Sequence, residues 1–227
     1  VSVAVGLLIY GLNCYWVLVL FGRRYKEMSQ RNLRTIREGR KLRDEDLPII
    51  TTQIPLYNEY NVAERIIRAA AEMNYPADKH EIQILDDSTD ETCDLVDRVA
   101  ASLRAEGKDV QVVRRDNRSG FKAGALKEGM KICRGEFIAI FDSDFVPRPD
   151  YLRKSIPFLL NDPGIGLVQA RWGHINREES LLTLSQSIGI DGHFIIEQTA
   201  RAYNSLFMNF NGTAGLWRKQ AIEDGGG

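Results

Sequence analysis

Cysteine and histidine are scarce in this chain, and neither is arranged to hold a metal or a disulfide framework. The 3 cysteines (Cys14, Cys93, Cys133) lie far apart, with no CxxC pair and no nearby histidine. That spacing argues against a zinc site and fits a reducing compartment. His80, His174 and His193 are scattered and read as surface or internally satisfied side chains. No GxxxxGKS/T loop occurs, which excludes a Walker-type phosphate site. Nor does the first apolar strand lead into GxGxxG, which disfavours a dinucleotide dehydrogenase. Internal repeats and low-complexity tracts are also missing, which sets aside solenoids and disordered arrays.

Charge is missing from one long stretch. Val1 to Phe21 (VSVAVGLLIYGLNCYWVLVLF) contains no charged residue, and about 20 apolar residues suffice to cross a bilayer as a helix. A signal peptide has a shorter apolar region, positive charge before it and a cleavage site after it. Here the positive charge follows instead: Gly22 to Arg43 holds nine Lys or Arg against two Glu. The positive-inside rule then places the downstream chain in the cytoplasm, with the basic stretch near anionic headgroups. The expected organisation is a transmembrane helix over 1–21, a basic juxtamembrane linker over 22–47 and one folded domain over 48–227. Without the basic stretch, 21 bases stand against 29 acids, a net charge of −8. That sign is a poor match for DNA or RNA, so no nucleic-acid partner is expected. The chain opens without methionine and closes on Gly225-Gly226-Gly227. It is therefore expected to be a piece of a longer protein.

From Pro48 onward there is a regular alternation of apolar runs and amphipathic segments. PIITTQIP reads as a strand, and Asn61 to Asn74 as a helix ending before Pro76. Glu81 to Leu85 is a second strand. The next helix is expected to begin inside DDSTDE, because Ser88 and Glu91 have capping-box spacing, and to end near Glu106. DVQVV is a third strand, KAGALKEGMKICR a third helix and EFIAIF (Glu136 to Phe141) a fourth strand. Further on, GIGLVQARW reads as another strand and Glu178 to Ser205 as one or two helices. Such alternation implies right-handed crossovers and a mainly parallel sheet flanked by helices, an α/β fold of Rossmann type. Ligands of these sheets bind beyond the carboxyl ends of the strands, near a reversal of strand order.

Asp86, Asp87, Asp142 and Asp144 all fall at such strand ends. Close carboxylates repel unless a cation, a shared proton or water relieves them. Hard divalent ions such as Mg2+ or Mn2+ are held by one or two carboxylates, with phosphate oxygens and water completing the octahedron. Asp142-Ser143-Asp144 suits that use, since alternate residues of an extended chain point the same way. Between the third strand and its helix, Gly120 and Gly124 flank Lys122 at a helix start. Free N–H groups and an ammonium there can hold an anion.

IPLYNE (Ile54 to Glu59), ILDDSTDET (Ile84 to Thr92), RSGFKAGAL (Arg118 to Leu126) and FDSDFVP (Phe141 to Pro147) stand in an order and spacing that resembles family-two glycosyltransferases. LVQARWGHIN (Leu167 to Asn176) and FNGTAGLWR (Phe210 to Arg218) narrow the resemblance to the processive, membrane-embedded branch. These are the cellulose-synthase-like mannan and glucan synthases and their bacterial relatives. The resemblance covers Pro48 to Gly227. It implies a GT-A-like fold and an inverting transfer of hexose from a UDP- or GDP-sugar, with Mg2+ or Mn2+. The acceptor would be a growing β-linked polysaccharide at the inner face of a membrane.

By the same resemblance Tyr57, Glu59, Asp86 and Asp87 hold the nucleotide base and ribose, and Lys122 faces the nucleotide and its diphosphate. Asp142 and Asp144 bridge the cation to the diphosphate. Gln169, Arg171 and Trp172 resemble the motif near the acceptor sugar, and Asn211, Gly212 and Thr213 the segment at the acceptor terminus.

An inverting transferase also needs a base for the acceptor hydroxyl's proton. The family supplies it from a TED block, followed by QxxRW, and this chain contains neither. The base is therefore expected beyond Gly227, with Glu223-Asp224 in what reads as a linker. The chain as given is expected to bind donor but not to polymerise. Two rival readings remain at this point. A nucleotidyltransferase also combines an α/β fold with a metal-binding aspartate pair, but needs a glycine-rich basic loop after the first strand; IPLYNEYN offers none. A catalytically silent membrane scaffold that binds nucleotide-sugar would retain the fold. Intact Lys122, Asp142 and Asp144 argue against it, and the missing base leaves it open.

Overall fold

A computed structural model describes residues 2–226. In chain order the elements are α1 (Ser2–Gly39), β1 (Ile50–Leu56), α2 (Tyr60–Ala71), β2 (His80–Asp86), α3 (Thr92–Ala105), β3 (Asp109–Val113), α4 (Phe121–Ile132) and β4 (Phe137–Ile140). They continue with α5 (Tyr151–Asn161), β5 (Leu167–Gln169), α6 (Leu181–Asp191), α7 (Thr199–Tyr203), β6 (Gly215–Arg218) and α8 (Lys219–Asp224). The chain forms two compact units: residues up to Arg34 with Ala170–Phe210, and Thr35–Gln169 with Asn211 onward.

The larger unit is built on a six-stranded sheet in the order β3-β2-β1-β4-β6-β5. Strands β1 to β4 are parallel, and β6 runs antiparallel to both β4 and β5. Helices α2 and α3 step outward from β1 to β3, and α4 then reverses the direction to reach β4 on the other side of β1. Right-handed crossovers put α4 on the opposite face from α2 and α3, and the reversal opens a crevice at the carboxyl ends of β1 and β4. Helix α2 forms because Ala63, Ile66, Ile67, Ala70 and Ala71 fall on one stripe of a 3.6-residue period, and all five are buried.

The two central strands are unusual in burying polar side chains. Parallel strands covered on both faces ordinarily read as continuous apolar runs. Thr51, Thr52, Gln53, His80, Glu81 and Gln83 are instead buried in β1 and β2; the register sets Thr51 opposite Glu81 and Gln53 opposite Gln83, with Thr52 and His80 diagonal to each other. Thr51 donates to Glu81 at 2.5 Å, Thr52 meets His80 Nε2 at 2.8 Å, and Gln53 donates to Gln83 at 3.0 Å. Glu81 also accepts from Gln111 and from the Arg134 N–H. Helix α4 lies close over this ladder: a Cβ at Gly129 would come within 2.5 Å of Gln53 Nε2.

His80, as expected, is internally satisfied, and its burial has a pH signature. Burial, with the Lys108 charge adding to it, lowers its pKa to about 4, against about 6.5 for an unfolded histidine. The unfolded chain therefore binds a proton that the folded chain refuses between those values. Stability should fall as pH drops from about 6.5 to about 4, by roughly 3 kcal/mol, and be untouched by His80 above that window. Urea unfolding of wild type and His80→Gln across pH 7 to 5 checks this: the variant's curve should be flatter, and parallel curves would contradict it.

Local signals were partly overridden. The expected capping box at Ser88 and Glu91 is not made: Glu91 is the cap residue of α3 without a side-chain cap bond. The Ser88 hydroxyl accepts instead from the Asn58 N–H at 3.0 Å, and Asp90 accepts from the Thr92 N–H. The basic stretch read as a linker from Gly22 continues α1 as far as Gly39, because Arg, Lys, Glu and Met favour helix and no proline interrupts them. The smaller unit follows its own rules. Ser180 and Thr183 close a reciprocal capping box on α6. The Glu178–Ser205 region is α6 and α7 joined by a π-helical segment, Gly192–Gln198. Tyr203 hydrogen-bonds Asn32 of α1. Helix α1 is long and apolar enough to cross a membrane, and Leu7, Leu8, Ile9, Leu12, Tyr15 and Trp16 are exposed on it.

Candidate active site

Five loops of the larger unit meet at the carboxyl edge of the parallel strands. Four follow β1, β2, β3 and β4; the fifth, Asn211–Ala214, precedes the antiparallel β6. Backbone strain concentrates there. Asn58, Phe121 and Ala214 have left-handed φ of 55°, 48° and 54°, and Gly120 and Gly212 lie at 73° and 85°. Non-glycine residues hold such angles only where surrounding contacts enforce them, a pattern common at functional sites.

After β1, Asn58 stitches two loops together: its side-chain oxygen accepts from the Thr89 N–H at 2.8 Å, and its own N–H donates to Ser88. Tyr57 is exposed, and the Arg118 guanidinium carbon lies 3.2 Å from its ring centroid. Glu59 accepts from the Ser143 hydroxyl at 2.6 Å and from the Tyr57 N–H at 3.3 Å.

After β2, the two aspartates are locked by arginines. Val113 is the last residue of β3 and pairs with Leu85, so Arg114 and Arg115 emerge beside Asp86 and Asp87. Asp86 is buried, accepting from Arg114 Nε and from the Ser88 N–H, both at 3.0 Å. Asp87 takes Arg115 Nε at 2.9 Å and its Nη2 as well, while Arg115 Nη1 and Nη2 also reach the Ser119 and Phe121 carbonyls. The Asp87 hydrogen bond outweighs burial and raises the Arg115 pKa. Burial pulls Arg114 down, but Asp97 and Asp86 together raise it. Burial and the Asp86 charge push the Cys93 thiol up, which disfavours its thiolate.

After β4, the chain does not stay extended as the alternate-residue argument requires. Strand β4 ends at Ile140, and the Phe145 N–H closes a turn on the Asp142 carbonyl at 3.1 Å. Asp142 and Asp144 therefore share a turn rather than one strand face. Lys122 Nζ binds Asp142 Oδ1 and donates to the Gly212 carbonyl at 2.8 Å. Asp144 is exposed, and its backbone carbonyl accepts from Arg65 at 3.4 Å.

The Asn211–Ala214 loop completes the cluster. Gln169, at the end of β5, donates to the Thr213 and Ala214 carbonyls at 3.0 and 3.2 Å and accepts from the Asn211 N–H at 3.2 Å. The buried Thr213 hydroxyl accepts from the Asp142 N–H at 2.8 Å. Of the residues expected from the sequence, Tyr57, Glu59, Asp86, Asp87, Lys122, Asp142, Asp144, Gln169, Asn211, Gly212 and Thr213 all belong to this edge. Arg171 and Trp172 belong to the smaller unit, where the Trp172 ring packs on Phe194 at 5.1 Å between centroids. Arg114, Arg115, Arg118 and Ser143 were not anticipated; a pair of arginines at the end of the strand beside two aspartates was the signal for the first two. Glu223 and Asp224 lie on α8. Because β6 is antiparallel, with Arg218 opposite Phe137, α8 starts at the other edge of the sheet from this cluster.

The fold and its edge cluster define a GT-A-like α/β domain. The same fold is seen in PcManGT, a mannosyltransferase from Pyrobaculum calidifontis solved in complex with GDP-Man and Mn2+. Its TM-score is 0.64 at 23% identity, covering 93% of this chain and 57% of that one. The chain belongs to glycosyl transferase family 2, whose profile matches residues 52–225. It is 41% identical over 219 residues to the probable glucomannan 4-beta-mannosyltransferase 10 of Arabidopsis thaliana, covering 93% of this chain and 39% of that protein. With glucomannan 4-beta-mannosyltransferase 2 of the same plant, identity is 42% over 216 residues, covering 93% and 40%. The probable glucomannan 4-beta-mannosyltransferase 7 of Oryza sativa subsp. japonica is 46% identical over 188 residues, covering 80% and 32%. The chain spans about two fifths or less of the length of these relatives.

Proposed function

We propose that the parent protein is a membrane-anchored, inverting hexosyltransferase. It would move mannose from GDP-mannose to a growing β-linked polysaccharide, with α1 as its membrane anchor and the larger unit on the cytoplasmic side. The observation that carries this reading is the meeting of Lys122, Asp142 and the Asn211–Thr213 loop at one point of the sheet edge. The names of the plant relatives favour mannose over glucose, and GDP over UDP follows from that choice.

The chain's own residues supply binding and charge. Tyr57 offers a ring face for the nucleotide base, and Arg115 keeps the Asp87 carboxylate fixed beside it. Lys122, held by a carboxylate and a carbonyl, places a positive charge where the diphosphate would lie. Negative charge grows on the leaving diphosphate, so a fixed ammonium there favours the transition state over the ground state. The donor set fits a hard divalent ion: the Asp142 and Asp144 carboxylates share one turn, closed by the Phe145 N–H on the Asp142 carbonyl. Such a pair suits Mg2+ or Mn2+ completed by donor phosphates and water, not a cage made by protein alone. Asp142 and Asp144 would hold such an ion, which would further neutralise the diphosphate. The base for the acceptor hydroxyl comes from outside these residues.

The rival nucleotidyltransferase finds no phosphate loop after β1, where the chain presents Tyr57, Asn58 and the carboxylate of Glu59. Membranes carrying the full-length protein, given radiolabelled GDP-mannose, should build a polymer that a β-mannanase digests. Label entering only from UDP-glucose would overturn the choice of sugar, and none from either donor would overturn the transferase reading.

A further inference from the structure

We infer that Thr213 is a positioning residue for the aspartate turn, and not a contact to the acceptor. The inference rests on reading Asp142 and Asp144 as the pair that holds the cation. Strands β4 and β6 pair as far as Ile140 with Gly215, and the Ala214 N–H still donates to the Ile140 carbonyl at 2.8 Å. The next inward-facing donor on the β4 side is the Asp142 N–H, and the antiparallel ladder has no carbonyl left for it. Left-handed φ at Gly212 and Ala214 turns the loop's carbonyls elsewhere: that of Gly212 to Lys122, those of Thr213 and Ala214 to Gln169. The Thr213 hydroxyl takes the place of the missing rung, accepting the Asp142 N–H at 2.8 Å with the residue only 1% exposed.

A hydroxyl buried to that degree and already committed is not presented to a sugar. It is placed to fix the backbone from which the Asp142 carboxylate projects. The same turn reaches Asp144 through the Phe145 N–H on the Asp142 carbonyl, so one side chain sets both carboxylates. Ser143, bonded to Glu59, holds the turn from the β1 side. Removing the hydroxyl would leave the half-buried Asp142 N–H without this partner, which costs up to or beyond the net value of one hydrogen bond, and the turn would relax to recover a partner.

The test is a Mn2+ titration of the full-length protein in detergent with GDP present, on wild type, Thr213→Val and Thr213→Ser, alongside thermal melts without metal. The valine variant should bind Mn2+ about tenfold more weakly. The serine variant, which keeps the hydroxyl, should stay within about twofold of wild type. Without Mn2+ none of the three should bind GDP appreciably, so the difference is read in metal uptake. Unchanged Mn2+ affinity in the valine variant, or an equal loss in the serine variant, would overturn the inference. If the valine variant does not fold, Thr213→Ala against Thr213→Ser makes the same comparison. A wild type that binds no Mn2+ with GDP present would instead refute the reading of the site on which the inference stands.

Discussion

Replacing Asp144 with alanine in the full-length protein should reduce transfer to below about a thousandth of wild type and leave the fold intact. The side chain is exposed, on a turn whose backbone is held by other groups: Phe145 N–H on the Asp142 carbonyl, Ser143 on Glu59, Arg65 on the Asp144 carbonyl. An exposed carboxylate with that little structural work contributes within about half a kcal/mol to stability. Its loss should therefore be invisible in a melting curve and plain in both turnover and Mn2+ uptake. Substantial turnover by Asp144→Ala would refute the metal assignment, whereas a large drop in melting temperature would show that the residue is structural.

Lys122→Met carries the next largest effect. The ammonium neutralises Asp142 and caps the Gly212 carbonyl, both half-buried. Methionine keeps the length of the stem and removes the charge. Loss of one preorganised charge facing a developing anion costs about 100- to 1,000-fold in turnover, and kcat should fall more than KM rises, because the diphosphate is more negative in the transition state. Lys122→Arg should not restore the rate, since a guanidinium is bulkier than an ammonium and would push apart the Asp142 carboxylate and the Gly212 carbonyl that Lys122 joins. Steady-state kinetics on the three proteins decides it: an effect confined to KM would mean that Lys122 binds the donor without serving the reaction.

The parallel half of the sheet was legible because its physics is local. Strands β1 to β4 are short segments of alternating or apolar character separated by amphipathic helices, and chemistry-bearing residues follow them closely in sequence. Helix α5 and strand β6 were not foreseen as elements, and β5 shrank to Leu167–Gln169. Strands of three and four residues take their existence from pairing: β6 is held by β4 on one side and β5 on the other. Ser88 misled for the opposite reason. Its spacing to Glu91 is a valid local signal, but the Asn58 N–H, 30 residues away, claims the hydroxyl.

The site divides along the same line. Asp142, Asp144 and Lys122 were readable from residue type and position, while the geometry of the turn was not, since the chain leaves the extended state after Ile140. The arginines that lock Asp86 and Asp87 follow a neighbouring strand; their adjacency is a signal in the sequence, but which carboxylates they meet is set by the β2–β3 register. Thr213 reads as part of the acceptor segment by resemblance, yet its hydroxyl is committed to Asp142. Asp224, exposed on α8 and bonded to Gln220, follows the β6 end away from the cluster.

The central claim is that this sheet edge holds a nucleoside diphosphate through a divalent ion at Asp142 and Asp144. Isothermal titration of the full-length protein with GDP and with UDP, each with and without Mn2+, tests it most directly. GDP should bind only with Mn2+ and more strongly than UDP. Binding of equal strength without metal, or no binding of either nucleotide, would contradict it.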